Sequence, residues 1–151
     1  MSDFGQAHAA SRRRLEDLAG RLSDQDLARA TPYGWTVAAL LAHLAFWDQR
    51  VLALVRRWQA AGRVDASPID AAAVNDALRP LCLALDPRAA VALCLASAAE
   101  VDAALAALPA GQIAAIEAEL QANPFQFRFN RALHRQDHLA DIERLLAPAG
   151  A

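Results

Sequence analysis

Only 13 of the 151 residues are β-branched: 7 Val, 4 Ile and 2 Thr. Strands draw heavily on such residues, so a chain this poor in them cannot furnish an ordinary β-sheet. It carries 39 Ala instead, with Leu as the other common apolar residue. Both are among the strongest helix formers. With 56% hydrophobic and 21% charged residues the chain is too apolar to be disordered and can bury a substantial core. All-β and doubly wound α/β architectures are excluded, and an all-α fold is expected.

Apolar periodicity and Pro/Gly punctuation divide the chain into helices. The first is expected from about Asp3 to Leu22, with Leu15, Leu18 and Leu22 at helical spacing. Ser23-Asp24-Gln25-Asp26 reads as a cap with a short turn of helix, and Thr31-Pro32-Tyr33-Gly34-Trp35 as a break. Thr36 is a good N-cap for a second long helix that runs to about Ala61 and stops at Gly62. A shorter piece is expected over about Asp70–Leu78, ending before Pro80. Asp86-Pro87 starts a third long helix reaching Leu108. A minor helix follows over Gln112–Gln121, Asn123-Pro124 interrupts, and a last long helix covers about Phe125–Ala147. No repeat or low-complexity linker marks a boundary. Residues 1–151 read as one domain: an all-α four-helix bundle with short extra helices in the connections.

The 15 basic residues are all Arg, and 17 acidic ones leave a net charge of −2. That balance argues against a nucleic-acid partner, which would need a basic face, and the lack of Lys excludes Schiff-base chemistry. Arg12-Arg13-Arg14, the one dense basic cluster, covers most of a helix's circumference and reads as a solvated face. Cys82 and Cys94 lie among Leu and Ala without C-x-x-C pairing, as buried hydrophobes would. The N-terminus has no signal-peptide pattern, and the longest apolar runs, Thr36–Trp47 and Val91–Ala99, fall short of a bilayer span. A cytoplasmic protein without a membrane partner is expected.

Histidine carries the functional signal. His134 and His138 form H-x-x-x-H, which on a helix projects both imidazoles from one face and allows two nitrogens to reach one metal. Phe127, Arg131, His134, His138, Ile142 and Leu145 follow one stripe, which puts the pair on or beside the buried face. Buried imidazoles need partners, and either a shared metal or backbone carbonyls would serve. His43 stands in the apolar stretch Leu40–Trp47 and is a satisfied core histidine or a third ligand. Three histidines from facing helices would leave open positions, the arrangement of a catalytic site. Trp35 and Trp47 read as core or pocket wall, and Asp48 lies too far round the helix from His43 to share its metal. Arg131 and Asp141 flank the site within reach of an anionic substrate. Asp137 reads as solvated and His8 as structural or surface.

Gly34-Trp35-Thr36-Val37-Ala38-Ala39-Leu40-Leu41-Ala42-His43-Leu44-Ala45-Phe46-Trp47-Asp48 resembles the second-helix signature of the DinB-like superfamily. His134-Arg135-Gln136-Asp137-His138-Leu139-Ala140-Asp141-Ile142 resembles its C-terminal H-x-x-x-H helix. The superfamily includes thiol-dependent maleylpyruvate isomerases and bacillithiol transferases. The resemblance implies a four-helix bundle in which His43, His134 and His138 bind a divalent metal, zinc or nickel. It further implies a metal-dependent S-transferase or isomerase that uses a low-molecular-weight thiol, acts on a small molecule and forms a homodimer. The apolar third helix, Ala89–Leu108, is the expected interface. The alternative is a non-catalytic bundle that binds a small apolar ligand or a protein partner.

Overall fold

The computed structural model describes residues 3–65, 67–122 and 129–148, and among them seven helices and no strand. They are α1 (Asp3–Ala19), α2 (Asp24–Ala28), α3 (Val37–Ala61), α4 (Ala71–Ala84), α5 (Pro87–Ala106), α6 (Ala110–Ala122) and α7 (Arg131–Leu146). The fold is the expected all-α bundle. Its four long helices are α1, α3, α5 and α7. Each of α1 and α3 packs against both α5 and α7, so α1 and α3 face each other across a diagonal.

Local chemistry sets most helix ends. Ser23 opens α2 through a capping box with Asp26. The Thr36 hydroxyl accepts the Ala39 N–H at 3.1 Å, and Gly62 closes α3 with φ +68°, a left-handed conformation that L side chains resist. Asp86 accepts the Ala89 N–H at 2.8 Å with Pro87 in the first turn of α5. Asn130 caps α7 by accepting from Ala132 and Leu133. Phe127 and the Asn123-Pro124 interruption lie outside the described residues.

Pro80 does not end α4, contrary to the sequence reading. Proline lacks the N–H that would bond the carbonyl of Asp76 and crowds that carbonyl. Both residues are solvent-exposed, so water can take up the freed oxygen. The turn beyond Pro80 delivers Cys82 into the core, beside the half-buried Leu78.

The interior has two apolar layers. One contains Leu15, Leu18, Leu27, Leu41, Leu44, Leu139 and Ile142. The other contains Val51, Val55, Trp58, Leu105, Ile116 and Phe129. Between the parts of α3 and α7 that feed these layers sit Asp48, Arg131 and Arg135, all buried. By length and mean hydropathy α3 and α5 are each able to cross a membrane. The apolar window of α3 is 72% buried inside the bundle, which accounts for its composition, whereas that of α5 is 39% buried and leaves Leu93 exposed.

Candidate metal centre

The core-facing stripe of α7 is Arg131, Arg135, Leu139 and Ile142, all buried. His134, His138 and Leu145 lie one step round the helix and are half-buried, beside the core. They face a cavity of about 1140 Å³. One wall is α4 with the segment before it, and another is the loop that enters α3, including Tyr33 and Trp35. His43 reaches the same cavity from α3.

The three histidines predicted from sequence therefore meet. One ligand-type nitrogen from each lies within 4.8 Å of the others, with His43 buried and the α7 pair half-buried. Nε2 of His134 and Nε2 of His138 are 3.2 Å apart. Two nitrogens that each sit about 2.0–2.1 Å from one ion are separated by a similar distance, so the pair is already spaced as ligands are. Trp35 and Trp47 stand edge-on to His43, with ring centroids 5.2 and 6.3 Å away.

Electrostatics favour a neutral His43. The His43 pKa is lowered to about 3, chiefly by burial and then by the neighbouring His138 and Arg131. Its Nδ1 is buried without a hydrogen-bond partner, a state that disfavours a buried polar atom and that ligation or a small ring movement would relieve. A neutral imidazole keeps the lone pair a divalent cation needs. The donor set, its spacing and the neutral state of His43 thus fit a divalent ion of borderline softness.

Behind the histidines lies a buried ionic network that the sequence did not disclose. Asp48 accepts from Arg131 Nε at 2.6 Å through Oδ1, and from Arg135 Nη2 at 3.2 Å through Oδ2. Arg135 also donates to Asp102 on α5 at 2.8 Å and to Ser11 on α1 at 3.4 Å. This one side chain ties α7 to the other three long helices. His8, on α1, is buried; its Nε2 accepts the Arg131 backbone N–H at 3.1 Å and so caps α7 from a neighbouring helix. Asp48 is thus no ligand but an anchor for the helix that carries two of the histidines. The one signal for this lay in the pairing of Arg131 and Arg135, four residues apart and in phase with Leu139 and Ile142.

Asp137 and Asp141 both line the cavity, and Asp141 pairs with Arg144. Arg79 lies over Trp35, 5.4 Å from its ring centroid, while donating to Asp76 at 2.9 Å. Neither cysteine takes part: both are buried, and burial pushes the Cys94 thiol up to about 12.

Residues 8–137, most of the chain, match the family described as the mycothiol maleylpyruvate isomerase N-terminal domain. The chain belongs to that DinB-like family. No curated protein and no solved structure matches it. The matched span holds His43 and His134 and stops one residue before His138. The DinB-like family is associated with metal and mycothiol-related chemistry, and this member has a three-histidine cluster that could hold a metal ion.

Proposed function

We propose that the protein is a metal-dependent enzyme of the DinB-like group, an S-transferase or isomerase that uses a low-molecular-weight thiol. The observation that carries this reading is the convergence of His43, His134 and His138 at the wall of one large cavity. A divalent ion held by them, zinc or nickel, would supply Lewis acidity and favour the thiolate of a bound thiol. The chain itself offers no reactive cysteine, so the thiol comes from outside.

The remaining groups would bind and orient. Trp35 and Trp47 give an apolar wall against which the non-reacting part of a thiol or its acceptor packs. Arg79 and Asn75, both on α4, add polar groups beside that wall: Arg79 lies over Trp35, and Asn75 Oδ1 accepts from Trp47 Nε1 at 3.1 Å. A cavity of about 1140 Å³ is at the upper end of small-molecule sites and leaves room for two reactants together. The homodimer through α5, the small-molecule substrate and the cytoplasmic setting belong to the same proposal.

Protein purified without a metal-affinity tag and loaded with cobalt(II) tests this directly. Addition of 2-mercaptoethanol is expected to produce a thiolate-to-cobalt charge-transfer band while the ion stays bound. A loaded protein whose spectrum ignores thiols would remove the S-transfer reading. A protein that gains no thermal stability from zinc, nickel or cobalt would remove the metal and favour the non-catalytic bundle, since a ligand of the native state must stabilise it.

A further inference from the structure

An imidazole that ligates a metal through one nitrogen ordinarily donates the proton on its other nitrogen to a carboxylate, a carbonyl or water. His138 is placed for that: its Nδ1 looks towards Asp141 Oδ2 at 4.0 Å while its Nε2 meets His134. His134 has the reverse arrangement. Its Nδ1 lies 2.6 Å from Nη2 of Arg131. A guanidinium has five donors and no acceptor, and it stays protonated in proteins. Nδ1 of His134 must therefore be the acceptor, which leaves the proton of the neutral ring on Nε2. That proton lies on the 3.2 Å line to His138 Nε2. Donors then run in one direction, from Arg131 to His134 to His138.

Arg131 is well fixed in this position. Its Nε donates to Asp48 at 2.6 Å, the far oxygen of Asp48 is held by Arg135, and the Arg131 side chain is 2% exposed. Its backbone N–H is bound by His8. The guanidinium also lines the cavity that the histidines face.

We infer that Arg131 is a latch on the three-histidine site, a reading that rests on the metal-site proposal above. The Arg131 contact holds His134 in the tautomer whose Nε2 is blocked by a proton. Ligation through that nitrogen requires Arg131 to give up Nδ1. The Nε2 proton is then lost to solvent and one is gained at Nδ1, so His134 stays neutral and the exchange has no net proton change. The Arg131 contact must be broken before His134 can ligate, so Arg131 raises the barrier to metal uptake and lowers the affinity of the finished site.

The test compares full-length metal-free wild type with Arg131→Lys. The shorter, single-pointed ammonium keeps a cation on Asp48 but lacks the second arm of the fork. Zinc affinity is measured by competition with a chromophoric chelator, and the ring tautomers by long-range ¹H–¹⁵N spectra. His134 of the metal-free wild type is expected as the Nε2–H form, switching to Nδ1–H when zinc is added. Arg131→Lys is expected to bind zinc at least tenfold more tightly, a direction opposite to that of a merely structural role. Equal or weaker zinc binding by the folded variant overturns the latch and leaves the three-histidine reading intact. Zinc binding by neither protein overturns both. Should the variant fail to fold, the wild-type spectrum decides alone, and an Nδ1–H form of metal-free His134 overturns the latch.

Discussion

His8 shows how a single side chain links the fold to its medium. It accepts the Arg131 N–H of α7 from a buried position, and its pKa is lowered to about 4 by burial and then by the charges of Arg135 and Arg131. The ordinary value is 6.5. Between these values the unfolded chain takes up a proton that the folded one refuses, so the contribution to stability is full above pH 6.5 and is lost as pH falls towards 4. Each pH unit in that window is worth about 1.4 kcal/mol. Gln at this position can accept the same N–H without titrating. The melting temperature of metal-free His8→Gln is therefore expected to fall less than that of wild type between pH 7 and pH 5. Parallel curves would show that His8 does not titrate with unfolding. At this scale the sequence was partly legible. His43, His134 and His138 stood out because histidine is scarce and each sits in an apolar or helically spaced setting. Asp48 was legible only as too far round α3 to share a metal with His43, because its arginine partners are 83 and 87 positions away along the chain.

Helix ends were readable where a side chain next to the end determines it. Thr36, Gly62 and Asp86-Pro87 bound α3 and open α5 as the sequence indicated. Pro80 misled because its local penalty competes with tertiary burial of Cys82 and Leu78, which no window around the proline displays. The penalty is still present in the folded protein. Pro80→Ala restores an N–H for the Asp76 carbonyl and removes the ring's clash, so it is expected to raise stability by about 1 kcal/mol or more. Pro80 is not part of the cavity wall, so metal content should not change. A lower melting temperature for this variant would contradict a proline penalty in α4.

For the whole molecule, the decisive event is the seating of α7 beside α3. Periodicity supplied the four long helices, but the choice of neighbours depends on side chains that find each other only in three dimensions. Arg135 contacts residues of α1, α3 and α5, and Asp48 holds Arg131 and Arg135 in the layer between two apolar cores. Removing one partner from such a buried ion pair typically costs about 3–5 kcal/mol, which is enough to make the seating specific. The seating brings His134 and His138 to His43 and opens the cavity between them and α4. Elemental analysis of tag-free wild type and of His43→Ala, His134→Ala and His138→Ala tests this most directly. The wild type should carry about one divalent ion per chain, and each folded variant should lose most of it, because two histidines hold such ions poorly. Retention of the ion by His43→Ala, with loss in the other two, would reduce the site to an incidental pair on α7 and contradict the account.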